Sequence, residues 1–461
     1  MDLQEDFLKG RDFCGKKIII IGTGISGIAA ARLLDGIGDV TLYDANKNLD
    51  VMEIRAKIGE DFGGRIVLGE FGDELAAGMD YAVLSPGVPV DLPEIDRLRD
   101  AGAKIIGEIE LAYQFERGRL VAITGTNGKT TTTALTGEIM KTFYNDVFVV
   151  GNIGTPYTQM VQETAADSVT VAEISSFQLE TVHDFKPLVS AITNITPDHL
   201  NRHHTMENYI SAKLAIAGKQ TEGDTCILNY EDERLRAAAA TLSCKVVWFS
   251  GQRKLSDGFF LSGDEIIYAE GGQEDVLVNV RDLNIIGRHN YENVMVAAAA
   301  AMALSVPKDC IRRALFAFRA VEHRIEYVEE KNGVKYYNDS KGTNPDASIQ
   351  AVRAMTAKTF LIGGGYDKGS EFGALIDSFE GRIKCLVLMG QTREKIAQAA
   401  RERGFADIVM VGGMEEAVNY CFEHAKPGEA VLLSPSCASW GMFENYEERG
   451  RIFKELVRAL P

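Results

Sequence analysis

The stretch "ITGTNGKTTTT", Ile123 to Thr133, decides how the chain is read: a glycine-and-lysine turn that runs straight into threonines, with apolar "LVAI" just upstream. The apolar run predicts a buried strand and the residues after Gly128 predict a helix. Between them, the backbone amides of Gly125, Thr126, Asn127 and Gly128 are free to face the oxygens of an anion. Lys129 reaches the terminal phosphates of such a ligand, and the hydroxyl of Thr130 or Thr131 serves as a ligand for Mg²⁺. The literal G-x-x-x-x-G-K-[ST] pattern is not met, because Ile123 stands five residues before Gly128 and the first glycine is Gly125. An ordinary strand-to-helix turn is the bland alternative, and the strand, turn and helix in sequence favour a phosphate cradle over it.

A second turn of similar type lies about a hundred residues upstream. Residues 16–45 read as strand, turn, helix and strand: "KKIIII", "GTGISG", "IAAARLLDG" and "VTLYD". Gly22, Gly24 and Gly27 fit G-x-G-x-x-G, and Asp44 ends the next strand at the distance where an acid contacts a ribose hydroxyl. This turn alone leaves three readings open: a nicotinamide dinucleotide, another diphosphate such as a UDP-sugar, or no ligand. The alternating pattern continues through "RIVLG" and "YAVLS" to about residue 108, where a first Rossmann-like domain closes.

Downstream of the cradle, "VFVVGNIG", "SVTVAEISS" and "LVSAITNIT" are short β-rich runs with polar or glycine tips, the pattern of a parallel sheet with its ligand at the strands' carboxyl ends. Glu173 and His199 fall at such tips, where a carboxylate and an imidazole hold a metal beside phosphates. Taken singly, each is more often a surface or packing residue; their shared placement favours the site. The central domain is predicted over residues 109–320 and a third over 321–461, with "KTFLIGGG", "CLVLMG", "DIVMVGG" and "AVLLSPS" as strands. There, "YYNDSKGTNPDAS" sets Asp339, Lys341, Thr343 and Asn344 on one loop, and "GGGYDKG" offers Lys368. With Arg324 of "HRIE", two lysines supply cations for a transferring phosphoryl group and a carboxylate substrate. Ser436, Ala438 and Ser439 of "SPSCASWG" make a nest of small residues after a buried strand. The whole is an α/β chain of three domains: Rossmann-like, ATPase-type with a mostly parallel sheet, and Rossmann-like again.

Composition bounds the partners. The 461 residues are 46% hydrophobic, enough for about three separately cored domains at roughly 150 residues each. With 49 basic and 66 acidic residues the net charge is −17, a field that repels nucleic acid and anionic membranes, so bound phosphates must be held locally. The seven cysteines are scattered without a C-x-x-C pair and read as reduced thiols of a cytosolic protein. The first ten residues are acidic where a signal peptide would be basic, and the longest apolar run, "VMVAAAAAMALSV", is too short to span a bilayer and predicts a buried helix.

Taken together, "GTNGKTT", "GNIGTP", "EISSFQLE", "ITPDHLNRH", "GRHNYENVMVA", "HRIE" and "NDSKGTN" occur in an order that resembles the Mur ligases of peptidoglycan synthesis, over nearly the whole chain. Within them the chain is similar to the branch that uses D-glutamate. Relatives adding the first or third amino acid typically carry Asp-Tyr-Ala-His where this chain has Asp339-Ser-Lys341. Folate-polyglutamate ligases lack the N-terminal dinucleotide-type domain. The resemblance implies a cytoplasmic, monomeric, ATP- and Mg²⁺-dependent ligase whose substrates are UDP-N-acetylmuramoyl-L-alanine and D-glutamate, with no nucleic-acid or membrane partner.

It also implies roles. Lys129 matches the phosphate lysine, and Thr130, Glu173 and His199 match ligands of two Mg²⁺ ions. Lys213 of "SAKLA" matches a lysine that the family carbamylates, which turns a cation into a carboxylate-like metal ligand. Asn290, Asn293, Arg324 and Asp339 match contacts to ATP. Ser26, Asp44, Ser85, Gly87, Asn152 and His199 match the UDP-sugar side, and Lys341, Thr343, Lys368, Ser439 and Tyr446 the D-glutamate pocket, with Lys341 also catalytic. Tyr446 stands where many relatives carry phenylalanine, and Trp440 where a smaller apolar residue is common.

Overall fold

The computed structural model describes residues 11–152, 154–319 and 321–461. The acidic first ten residues, Ile153 of the "GNIG" motif and Ala320 at the expected second boundary lie outside them. The described chain forms three β-sheets flanked by helices. It divides into two compact units: one runs to Val278 and includes Glu292–Leu315, and the other comprises Asn279–Tyr291 and Phe316–Pro461.

The first sheet holds β1 (Lys17–Ile21), β2 (Asp39–Asp44), β3 (Arg65–Leu68), β4 (Tyr81–Leu84) and β5 (Lys104–Gly107), all parallel, in the order β3-β2-β1-β4-β5. Ile18, Ile19 and Ile20 are fully buried, as a central strand covered on both faces requires. The chain leaves β1 toward β2 but later places β4 on the opposite side, so the switch point of the sheet opens between β1 and β4.

The second sheet has nine strands in the order β14-β13-β12-β11-β10-β9-β6-β8-β7. Its ligand-side strands are β6 (Arg119–Thr124), β7 (Val147–Gly151), β8 (Val169–Glu173) and β9 (Val189–Ile192), parallel throughout. The connection after β6 goes one way and that after β9 the other, so the switch point falls between these two. Beyond β9 the sheet continues further than the sequence reading reached, through β10 (Thr225–Asn229), β11 (Lys245–Ser250), β12 (Gly258–Ser262), β13 (Glu265–Glu270) and β14 (Gln273–Asn279). β12 and β13 form an antiparallel hairpin turned at Gly263, whose φ of 59° suits glycine. The core is continuous across these two sheets, from Phe13 and Ile20 to Ala122 and Leu228. The alanine run falls in the helix Arg288–Ala303, and Val294–Ala301 are buried on every side, as expected of a helix apolar all round.

The second unit carries a six-stranded sheet, β15-β16-β20-β17-β18-β19. β15 (Glu326–Lys331) and β16 (Val334–Asn338) are an antiparallel hairpin at its edge; β16 is the strand expected before the Asp339 loop, and β15 was not foreseen. β17 (Thr359–Gly363), β18 (Ile383–Leu388), β19 (Ile408–Met410) and β20 (Ala430–Leu433) are the four strands expected. Because β20 inserts between β16 and β17, the loops after these three strands emerge side by side. Among the described residues no helix is long and apolar enough to cross a membrane.

Candidate functional site

The turn after β6 is built for a tight approach. Gly125 has φ 147°, and a Cβ there would stand 1.9 Å from Thr193 Oγ1; Gly128 has φ 88°, and its Cβ would stand 2.5 Å from Asn293 Oδ1. Only glycine fits both places. The neighbouring strand end fixes the loop: Asn194 Oδ1 accepts from the Asn127 amide at 2.9 Å, Thr193 Oγ1 donates to the Asn127 carbonyl at 2.6 Å, and the Thr126 amide donates to the Asn194 carbonyl. The Thr126 hydroxyl meets Tyr209 Oη at 2.9 Å. With the amides of Thr126 and Asn127 thus spent inside the protein, the amides offered outward are those that open the helix Lys129–Lys141, which have no intrahelical partners. Lys129 Nζ folds back on the carbonyls of Gly125 and Thr126, both at 2.9 Å. Thr130 lies in the first turn, and the buried Thr131 hydroxyl makes no hydrogen bond. Asn293 Oδ1 accepts from Thr132, which ties its helix to this one at 3.1 Å.

Glu173 ends β8 between Ile123 and Gly151 of its neighbours. Its Oε1 accepts from Asn152 Nδ2 at 2.9 Å, while Oε2 is buried without a hydrogen-bond partner. A buried carboxylate oxygen left open in this way costs free energy unless a cation or donor meets it. His199 follows β9 with φ 52°, half-exposed, its ring 4.8 Å from Phe177 and Nε2 3.5 Å from Asp198. Burial and the cations Lys129 and Lys213 hold its pKa below the ordinary range against the pull of Asp198, which leaves the neutral imidazole that a metal needs.

Lys213 is 1% exposed, and its Nζ donates to the Gly125 carbonyl at 2.8 Å. Burial first, then Lys129, drives its pKa well below the ordinary lysine range, with Asp198 and Glu173 opposing. An amine so placed gives up its proton more readily and is the more nucleophilic for it. Lys129, Glu173, His199 and Lys213 are therefore brought into one electrostatic neighbourhood.

The turn after β1 has the same place in its sheet and different contents. Gly22 has φ 101°, and a Cβ on Gly27 would stand 1.9 Å from the Gly22 carbonyl. Asp44 Oδ2 accepts the amide and hydroxyl of Thr23 at 3.0 and 2.7 Å, and Oδ1 accepts the Asn46 amide. Burial alone would raise this carboxyl, but those bonds outweigh it and hold the pKa below the usual range. Ser85, after β4, donates to the Gly22 carbonyl at 3.4 Å across the switch point; Ser26 is half-buried and Gly87 exposed beside it.

In the second unit, Asp339 follows β16 and is 3% exposed; burial pushes its pKa up to about 7 against the Ser434 hydroxyl, which donates at 2.7 Å, and the nearby Arg324 and Arg449. Arg324 Nε is buried without a partner, and Asn290 Nδ2 donates to the Ile286 carbonyl. The loop after β20 joins the loop after β16 where the Ser436 amide donates to the Gly342 carbonyl at 2.9 Å. Ser436 has φ 60°, a strained setting for serine, and its own amide is taken by the Gly342 carbonyl. Thr343 is half-buried and Ser439 buried. Lys341 Nζ lies 5.5 Å from the Tyr446 ring and Lys368 Nζ 4.6 Å from the Trp440 ring.

Sequence reasoning missed Asn194, Tyr209 and Arg449. Asn194 sits at the tip of β9, so the strand-end rule that found His199 would have found it. Arg449 is fully buried; Nε donates to Ser340 Oγ, Nη2 to the Ser340 carbonyl and Nη1 to the Cys437 carbonyl, at 2.7–3.1 Å. It clamps the loops after β16 and β20 to each other, and no local pattern marks it.

Comparison with known proteins gives one match per sheet. The chain matches the MurD-like N-terminal domain of Mur ligases over residues 16–107, the Mur ligase middle domain over 123–301 and the Mur ligase glutamate ligase domain over 323–437. It is 59% identical to the UDP-N-acetylmuramoylalanine--D-glutamate ligase of Lachnoclostridium phytofermentans, covering 97% of this chain and 99% of that one. To the enzyme of the same name from Lachnospira eligens it is 53% identical, covering 97% and 100%. Among solved structures, MurF from Acinetobacter baumannii superposes with a TM-score of 0.61 at 16% identity over 95% of this chain and 93% of that one, a likeness of fold.

Proposed function

The chain belongs to the Mur ligase family, and we propose that it is the ATP-dependent ligase that joins D-glutamate to the alanyl carboxylate of UDP-N-acetylmuramoyl-L-alanine in peptidoglycan precursor synthesis. The carboxylate takes the γ-phosphoryl group of ATP, which makes the carbonyl an acyl phosphate; the amine of D-glutamate attacks it, and ADP and phosphate leave. The domains are divided as 1–108 for the UDP-sugar, 109–320 for ATP and 321–461 for the amino acid. A monomer in the cytoplasm, without nucleic-acid or membrane partners, agrees with soluble nucleotide-linked substrates and the net charge of −17.

The observation that carries the residue assignment is the convergence of Lys129, Glu173, His199 and Lys213 at the switch point of the second sheet. Gly125 to Thr131 form the turn that cradles the ATP phosphates, through the amides that open the helix from Lys129 and through the Lys129 ammonium, which exchanges its two turn carbonyls for phosphate oxygens. The open Oε2 of Glu173 fits a divalent cation, so Thr130, Glu173, His199 and Lys213, the last as a carbamate, hold Mg²⁺. Mg²⁺ held there would supply charge neutralisation for the phosphoryl group being transferred. The neutral amine of Lys213 is the form that adds CO₂. Asn152, anchored on Glu173, and His199 face the sugar-linked alanine, with Ser26, Asp44, Ser85 and Gly87 on the uridine side. Asn290, Asn293, Arg324 and Asp339 complete the nucleotide site. Lys341, Thr343, Lys368, Ser439 and Tyr446 hold D-glutamate, and Lys341 also steadies the charge that develops as the amine attacks.

Phosphate release from ATP tests the reading. It should require both the UDP-sugar substrate and D-glutamate, with L-glutamate, meso-diaminopimelate, L-lysine and L-alanine inactive. Release with one of those acceptors would move the specificity, and turnover indifferent to both substrates would reject the ligase.

A further inference from the structure

Lys368 lies in the loop after β17 and is exposed. Among the described residues it has no carboxylate partner; the acid beside it in sequence, Asp367, is turned to the Lys395 ammonium at 3.5 Å and the Gly369 amide at 2.7 Å. What the ammonium meets is the Trp440 ring, 4.6 Å away. Trp440 is 54% exposed and packs edge-on against Tyr366 at 5.6 Å. The backbone beneath is fixed: the Tyr366 amide donates to the Ala438 carbonyl at 2.9 Å, and Gly365 comes so near that a Cβ on it would stand 2.4 Å from that oxygen. The half of the Trp440 ring that is not buried against Tyr366 faces the Lys368 ammonium. An exposed lysine otherwise samples many rotamers, and a ring under its ammonium narrows them without cancelling its charge.

We propose that Trp440, backed by Tyr366, is a positioning residue for the amino-acid substrate: its ring presents the Lys368 ammonium to a carboxylate of D-glutamate. This rests on the assignment of Lys368 to the D-glutamate pocket. A salt bridge would have neutralised the lysine, whereas the ring leaves its full charge for the substrate.

Steady-state kinetics on the full chain test this. Trp440→Leu should raise KM for D-glutamate about two- to fivefold, the range of an exposed cation–π contact, with kcat, KM for ATP and melting temperature unchanged. Lys368→Met should raise it further, and adding Trp440→Leu to Lys368→Met should change nothing more, because the ring acts through the lysine. An equal rise in both backgrounds would overturn the proposal, as would an unchanged KM in Trp440→Leu while Lys368→Met raises it. If Lys368→Met itself leaves KM unaltered, the pocket assignment fails and the proposal with it.

Discussion

The turns after β1 and β6 are alike in their place in the sheet and opposites in content. Each follows a central parallel strand, opens a helix, contains glycines that no larger residue could replace and lies at the switch point of its sheet. The first is flanked by one carboxylate already saturated by its own loop, and carries no lysine. The second gathers a lysine, a half-open glutamate, a neutral histidine and a buried amine. On the proposed assignment, one such turn holds the diphosphate of a UDP-sugar and the other the reacting phosphates of ATP. What separates them is the set of side chains that neighbouring strand ends deliver.

The largest effect should come from Lys129→Ala, which strips the second turn of a cation the first lacks. A loss of about 10³-fold in kcat/KM, the range for a charge-stabilising donor, is expected from phosphate-release assays, with binding of the UDP-sugar unaffected. A loss below tenfold would make the two turns equivalent.

The strand-end acids carry the comparison into the second unit. Asp339 has its pKa raised to about 7 by burial, whereas Asp44 is held low by hydrogen bonds. A raised folded pKa means that Asp339 contributes stability below pH 3.8, its unfolded value, which is lost as the pH rises toward 7. Asp339→Asn should remove that loss, flattening the melting profile between pH 4 and 7 by on the order of 3 kcal/mol while impairing ATP use. Parallel profiles for the two proteins would show that the carboxyl ionises freely.

Gly27→Ala tests the shared backbone requirement. The new methyl would press on the Gly22 carbonyl, at a cost of about 1–3 kcal/mol. Thermal unfolding should register that cost, and KM for the UDP-sugar should rise without a matching rise for ATP.

The smallest change is expected from Asp44→Asn. It keeps an acceptor for Thr23 but loses the charge and sets an NH₂ donor against the Asn46 amide, so KM for the UDP-sugar should rise about two- to tenfold, the worth of a hydrogen bond. Unchanged ATP kinetics would place the effect on the first turn alone.

Much of this was legible before any coordinates. Strand-turn-helix punctuation placed β1, β6 and both turns, and the strand-end rule found Glu173 and His199. The hairpin of β12 and β13 and the edge strand β15 were missed because none of these three strands runs into a candidate ligand loop, as β16 does at Asp339. Asn194 and Arg449 were hidden for another reason: their bonds join residues 67 and 109 positions apart, a pairing that exists only once the sheets are assembled. Nor could the sequence tell that Lys129 is folded onto its own turn, since that depends on rotamer and not on spacing.

The edge hairpin has a consequence for behaviour at high concentration. β15 borders one side of the last sheet and reads Glu-Tyr-Val-Glu-Glu-Lys, while β14, at the border of the nine-stranded sheet, begins Gln-Glu-Asp with its first four residues exposed. An uncovered strand edge invites a second chain to pair with it, and like charges along that edge discourage the approach. The glutamates of β15 and the acids of β14 are thus an anti-aggregation guard, and an enzyme made in quantity with them replaced by valine would be the one to precipitate.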